Sequence, residues 1–309
     1  MHTDSINLFK GLLNKVSVQE LNSRIVNYRR VVDLRKISDE QLYKELDKLF
    51  TVNHEGEDVS FFLKSDTETY PHQRFYFYRI RKFTAEDLVG LGNRNFPSIQ
   101  TRSDIWLKPP HLINTYGRLN RPNTSMLYLS HEPSNAIYET GCIYGDHFFL
   151  MVYKNKRQMR LSQLHVTPYF PEFDEIQNAK LAILYSFLYS EYCKIISPER
   201  DYLYRSSIAI YERFFLDQFI DGFCYPSIKS DYTRGFNICF SADKAEQNLE
   251  FQGLMVCKLV PPQENSEFGV ERYYDGFLEE DGSFAFFEAG SAEAEEKFGD
   301  FAFRRLGGL

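Results

Sequence analysis

Residues 117–139, GRLNRPNTSMLYLSHEPSNAIYE, pass through a turn, a strand and a helix start in one short run, and their reading organises the rest of the chain. From Met126 to Ser130 (MLYLS), Leu127 and Leu129 alternate with Tyr128 and Ser130. This is the period-two pattern of a half-buried strand and puts Tyr128 and Ser130 on one face. Ser130, Glu132 and Pro133 read as a helix start: a hydroxyl to accept orphan amide bonds, an acid near the positive helix end, and a proline in the first turn. Ala136, Ile137 and Glu139 follow on that helix. The turn before the strand carries Arg118 and Asn120, with Pro122 and Asn123 as turn residues. An arginine, a tyrosine and a glutamate are thus expected to converge on one cleft.

A chain of 309 residues, 43% of them hydrophobic, is long enough to bury one large core or two small ones. Its net charge of −7 supplies no overall basic field and argues against nucleic acid as a partner. The cysteines, Cys142, Cys193, Cys224, Cys239 and Cys257, form no CxxC pair and no zinc spacing with the histidines. Reduced, mostly buried thiols in a cytoplasmic protein are expected, and no metal site. The start, MHTDSINLFKGLLNK, has no long apolar run behind a basic segment, so no signal peptide is expected, and no run approaches a membrane span. The 28 Phe and 21 Tyr suit aromatic cores and stacking surfaces equally, so their number does not choose between them.

Residues 1–66 read as a separate helical piece, with apolar residues at helical intervals over Val16–Val32 and Ser38–Phe50. Ser38 and Gln41 give the second segment a capping-box pattern. Arg24, Arg29, Arg30, Arg35 and Lys36 read as a solvated helix face, which is what charge clusters on helices ordinarily are. HEGED at 54–58 and the polar run before residue 74 read as linker. Arg74–Arg81 (RFYFYRIR) is a strand, with Phe75, Phe77, Arg79 and Arg81 on one face and Tyr76, Tyr78 and Ile80 on the other. Phe83–Pro110 reads as loop or short helix, and Phe148–Lys154 as a buried strand. Asp174–Cys193 and Ser206–Ile220 space their apolar residues as core helices. Phe223–Ile228 is a strand interrupted by Pro226, Phe236–Phe240 a strand with Asn237 and Cys239 on its less apolar face, and Gly253–Val260 another strand. The acidic end carries a hairpin signal at Glu280-Asp281-Gly282.

Taken in order, Tyr78-Arg79, Gly117-Arg118-Leu119-Asn120, Leu127-Tyr128-Leu129-Ser130, Ala136 with Glu139, and Asp221-Gly222 with Tyr225-Pro226-Ser227 and Asn237 resemble the RES domain family. The eleven-residue step from Tyr128 to Glu139 fits it as well. The resemblance implies an α+β fold, an ADP-ribosyltransferase-like mixed sheet core with flanking helices; the small helical N-terminal region that precedes it is read from the apolar spacing above. The expected division is the helical residues 1–66 and a RES-like NAD-cleaving domain over 67–309 with an acidic C-terminal extension, the helical piece and the acidic end lying outside the small toxin-like members of the family. By the same resemblance, Arg79 and Arg118 would hold the phosphates of NAD+, Tyr128 would pack on the nicotinamide ribose or ring, and Glu139 would be the catalytic carboxylate. Ser227 and Asn237 would orient the nicotinamide end, and Asn120 would join the substrate-binding set. NAD+ enters as substrate, with no prosthetic group, and family members that are toxins imply an antitoxin or immunity protein as partner. Leu119 stands where many members carry Trp, and Ile80 where some have a second Tyr.

The chemistry is consistent with these residue types. Breaking the bond from nicotinamide to ribose builds positive charge on the sugar, and nicotinamide leaves neutral, so one ionised carboxylate suffices. The arginine fork suits a diphosphate, and Arg81 and Arg121 are the candidates for a further anion pocket. His111, His131 and His147 are not needed as bases. Two other readings stay open: transfer of ADP-ribose onto a macromolecule, and a non-catalytic binding module.

Overall fold

The computed structural model of the protein describes residues 3–62, 68–70, 75–164, 169–227, 229, 235–262 and 269–298. In chain order they form α1 (Thr3–Asn14), α2 (Val18–Val31), α3 (Asp39–Phe50), β1 (Thr51–His54), β2 (Glu57–Ser60), β3 (Glu68–Tyr70) and β4 (Tyr76–Lys82). Next come α4 (Ala85–Gly90), α5 (Arg102–Ile105), β5 (Met126–Ser130), α6 (Pro133–Thr140), β6 (His147–Asn155), β7 (Met159–Gln163) and α7 (Glu175–Tyr192). The last are α8 (Arg205–Ile210), β8 (Gly222–Pro226), β9 (Phe236–Ser241), α9 (Ala242–Asn248), β10 (Leu249–Val260), β11 (Gly269–Leu278), β12 (Phe284–Glu288) and α10 (Ala292–Phe298). The chain is α+β, with both antiparallel and parallel strand pairs.

The described residues fall into two compact units. The first takes in residues 1–68, 113–124 and 160–226. Three of its helices begin where side chains satisfy the free amides of the first turn. Ser17 accepts from Glu20 N at 3.0 Å ahead of α2, Ser38 from Gln41 N at 3.2 Å ahead of α3, and Asp174 forms a reciprocal box with Gln177 ahead of α7. Gln41 does not close the box with Ser38; its amide donates to Glu45 instead. Leu21, Ile25 and Tyr28 are buried on α2, Leu42, Leu46 and Leu49 on α3, the spacing of one helical face turned inward. Aromatic rings fill the interior: Phe50 and Phe62 each lie 4.7 Å from Phe214, and Tyr28 meets Phe187 edge-on at 5.3 Å. β7 and β8 pair in parallel here, Leu161 against Gly222.

Two further expectations change in this unit. HEGED is not a linker: β1 and β2 are an antiparallel hairpin, with Glu55 at φ 56°, Gly56 at φ 92°, and Gly56 N donating to the Asn53 side chain at 3.3 Å. Two successive positive φ angles match the twist of a tight hairpin, which the acidic composition disguised. The helix expected to reach Ile220 stops at Phe215, after α8 and one π turn. Asp217 accepts from Phe219 N at 2.9 Å, a local turn that competes with helix, and Phe219 is left 65% exposed.

The second unit takes in residues 69–112, 125–159 and 227–309. Its strands form an antiparallel run in the order β12, β11, β10, β6, β4, β5, β9. On one face, Tyr78, Ile80, Phe148, Leu150 and Val152 pack with Ala136 and Ile137 of α6, and on towards Phe277 and Phe298. On the other, Phe83, Phe96, Phe149 and Phe286 form an aromatic cluster, with Phe83 4.5 Å from Phe149 and Phe96 4.8 Å from Phe286. Much of the high Phe content therefore builds cores. The expected hairpin at Glu280-Asp281-Gly282 joins β11 and β12. The predicted strand residues Arg74 and Ile228 lie outside the described residues.

Candidate functional site

Helix α6 sets the site of the second unit. Pro133 opens it after the extended Glu132, and Gly141 closes it in the left-handed conformation at φ 66°, its N–H returning to Tyr138 O at 3.0 Å. Ala136 and Ile137 anchor one side of the helix in the sheet's core. Asn135 and Glu139, four residues apart, lie one above the other on the helix surface. Ser130 does not cap this helix as expected. It sits at the end of β5 and donates its hydroxyl to Asn237 Oδ1 at 3.1 Å.

Strand register aligns the partners. Tyr78 of β4 lies opposite Ser130 of β5, and Ser130 opposite Asn237 of β9. Asn237 Oδ1 accepts from Ser130 Oγ and, at 3.2 Å, from Asn135 Nδ2, so its amide nitrogen is turned to Glu139, reaching Oε1 at 2.8 Å. Ser227 Oγ donates to the same Oε1 at 2.5 Å. Glu139 Oε2 has no partner among the described residues. Ser227 and Asn237 are buried, whereas Glu139 is only partly so. A carboxylate held by two neutral donors on one oxygen, with the other open, is oriented without being neutralised.

The backbone around Ser227 is tied too. Its N–H donates to Gly235 O at 3.2 Å, and a Cβ on Gly235 would lie 2.8 Å from the Asn135 side chain. Gly235 is thus a position where close approach of the chain to Asn135 requires glycine. Lys229 Nζ caps the end of α6, donating to Glu139 O at 2.7 Å. Tyr128 shares the sheet face of Ser130, opposite Cys239, to which it is hydrogen-bonded. Burial pushes the Cys239 thiol well above its ordinary pKa, the bond from Tyr128 offsetting part of that.

Of the residues singled out from sequence, Glu139, Ser227 and Asn237 meet directly, and Tyr128 lies two residues along the same face. Arg79 does not join them. It is one residue from Tyr78 in an extended strand and so projects from the opposite face, where it donates to Trp106 O at 2.7 Å. Arg81, on that same face, donates to Asp104 O at 3.2 Å. The two arginines take carbonyls at the end of α5 rather than an anion.

Arg118 and Asn120 belong to the first unit, in the turn 113–124. The Arg118 guanidinium lies 5.4 Å from the Tyr204 ring and 5.9 Å from that of Tyr225, and its Nη1 is buried with no hydrogen-bond partner among the described residues. A buried guanidinium N–H lacking an acceptor suits an incoming oxyanion. Asn120 is buried and donates to Arg121 O at 3.3 Å. Arg121 is not available for a phosphate, because its Nε and Nη2 bind both Glu212 oxygens at 2.9 and 2.7 Å and its Nη1 binds Asp39 at 2.7 Å.

Asn135 and Gly235 were not distinguished in the sequence, although the i, i+4 spacing of Asn135 and Glu139 was there to read. No group of His, Cys, Asp or Glu among the described residues has the arrangement of a metal site. No helix among them is long and apolar enough to cross a membrane.

No curated protein and no solved structure matches the chain significantly. The family model described as the RES domain does match, over residues 76–252, which is more than half of the chain and contains Glu139, Ser227 and Asn237, and the chain therefore belongs to the RES domain family.

Proposed function

We propose that the protein cleaves the N-glycosidic bond between nicotinamide and ribose in NAD+. The observation that carries this reading is Glu139, oriented by Ser227 and Asn237 through one oxygen while the other faces no partner among the described residues. In the proposed reaction the bond from C1′ to the pyridinium nitrogen breaks, its electron pair passes to the ring, and nicotinamide leaves uncharged. Positive charge grows on the ribose as the bond lengthens, and the free carboxylate oxygen stabilises it while holding a ribose hydroxyl. An acceptor oxygen then bonds to C1′ and gives up its proton; water yields ADP-ribose and inorganic phosphate a phosphorylated sugar. Ser227 and Asn237 keep the carboxylate aimed. The proposed task of Arg118 is to hold a phosphate oxyanion, supported by its unpartnered Nη1. Tyr128 is proposed to pack on the nicotinamide side of the substrate. Arg79 enters as a support of the sheet, given its bond to Trp106 O.

NAD+ is thus substrate, not resident cofactor. Such an activity in the cytoplasm would deplete NAD+ as a toxin does, and an inhibitory antitoxin or immunity protein is the partner this reading calls for. Incubation with NAD+, with and without inorganic phosphate, followed by mass analysis of the sugar product, tests the reaction and identifies the acceptor. Release of nicotinamide with a free sugar product supports it. Label retained covalently on a macromolecule points to ADP-ribosyl transfer instead, and binding of NAD+ without loss points to a non-catalytic module.

A further inference from the structure

Arg118 sits in a segment with no regular secondary structure, so its position depends on what fastens that segment. Inside the turn, Gly117 N donates to Asn120 O at 2.9 Å, Asn123 N to Ile113 O at 2.8 Å and Thr124 N to Arg121 O at 3.1 Å. These bonds shape the turn but do not attach it to anything. Among the contacts that do are three made by hydrogen bonds between described residues. Tyr116 N donates to Asp201 at 2.9 Å, and Ser207 Oγ donates to Arg118 O at 2.7 Å. The third is Arg121, which grips Glu212 with both arms of its fork and reaches Asp39 at 2.7 Å.

Asp39 is the first residue of α3 and bridges two arginines. Its other oxygen accepts from Arg205 at 2.5 Å, and Arg205 also donates to Leu34 O at 2.6 Å and Ile37 O at 2.7 Å. Tyr43, one turn further along α3, donates to Glu212 at 2.5 Å. Two cations and two carboxylates therefore close a balanced node joining the start of α3, the start of α8, the π turn that carries Glu212, and the Arg118 turn. Asp39 and Tyr43 precede the region that matches the RES domain, so chain outside the family core supplies part of the support.

Resting on the proposed binding of NAD+ phosphates, we propose that Arg121 is a positioning residue: with Asp39 and Glu212 it locks the turn bearing Arg118 onto α3. A planar fork engaging two carboxylates fixes direction as well as distance, which a lysine at the same place does not. The segment 1–66 is by this account a buttress for the substrate arginine.

Amide hydrogen exchange on the full-length protein reads the lock directly. In Arg121→Gln and in the milder Asp39→Asn, the amides of Tyr116, Gly117, Asn123 and Thr124 exchange about tenfold faster while those of α7 keep their wild-type rates. Unchanged exchange in the turn in both variants, or an equal rise in α7, overturns the proposal. Calorimetric NAD+ affinity, taken with Glu139→Gln in every variant so that NAD+ is not consumed, then separates it from the functional reading. Asp39→Asn weakens binding about fivefold where Arg118 is present and has no further effect on top of Arg118→Ala, since residues acting through one another are not additive. An equal loss in both backgrounds overturns the positioning role. If Arg118→Ala alone leaves NAD+ affinity unchanged, the reading of Arg118 as a substrate residue fails while the lock, measured by exchange, stands.

Discussion

Asn237 donates its side-chain amide to Glu139 Oε1 at 2.8 Å, and Ser130 and Asn135 fix which way that amide points by donating to its carbonyl. The glutamate is thus aimed from the sheet, not by its own helix alone. Asn237→Asp replaces the donor with a second carboxylate beside Glu139 and turns an attraction into a repulsion. Nicotinamide release is expected to fall by about a hundredfold, the usual scale for losing one preorganised hydrogen-bond donor. The assay is nicotinamide production by chromatography, with circular dichroism to confirm that the fold persists.

Gly235→Ala tests the packing behind that pair. The added methyl would lie 2.8 Å from the Asn135 side chain, which must move and release its bond to Asn237. A cost of about 1–3 kcal/mol is expected from overpacking a close contact. Thermal melting should show the loss, and turnover should fall with it, because the same displacement frees the Asn237 carbonyl.

His147 gives the protein an acid-side weakness. Burial lowers its pKa, Lys258 adds to the effect, and Glu271 and Asp146 oppose it. The folded protein then releases a proton that the unfolded chain still binds between the lowered value and about 6.5. Stability rises with pH across that window and is lost as pH falls through it. Melting temperatures measured from about pH 7 down to about pH 5 should decline less steeply in His147→Gln than in the wild type.

Cys142 is a thiol whose surroundings disfavour the thiolate. Burial raises its pKa to about 11, Lys82 lowering and Asp146 raising it in smaller measure. At pH 8 its thiolate is roughly a hundredfold scarcer than that of an unperturbed cysteine. Peptide mapping after iodoacetamide treatment should find Cys142 alkylated more slowly than a free cysteine by about that factor, and Cys142→Ser should keep full turnover.

Local chemistry made much of this fold legible. Ser17, Ser38 and Asp174 each sit before an apolar helical pattern and each caps a helix. Alternation set the faces of β4 and β9, with Arg79 opposite Tyr78 and Asn237 beside Cys239. Register between strands was not legible, because the row of Tyr78, Ser130 and Asn237 depends on which strands are neighbours. For that reason the resemblance grouped Arg79 with Glu139, though alternation had already turned it the other way. The early end of the helix after Phe215 was hidden by an apolar spacing that continues to Phe219, while the deciding contact is the local turn at Asp217. Arg121 looked like an anion ligand because its partners, Asp39 and Glu212, lie 82 and 91 residues away in sequence.

The central claim is that Glu139 is the carboxylate that supports glycosidic cleavage of NAD+, and Glu139→Gln tests it most directly. Glutamine keeps the size of the side chain and can still accept from Ser227, but it removes the charge. Nicotinamide release from NAD+ by the wild type and by this variant, at matched concentration and with matched melting curves, is the measurement. The account predicts steady release by the wild type and a loss on the order of a thousandfold in the variant. Release at the wild-type rate by Glu139→Gln, or no loss of NAD+ with the wild-type protein, would contradict it.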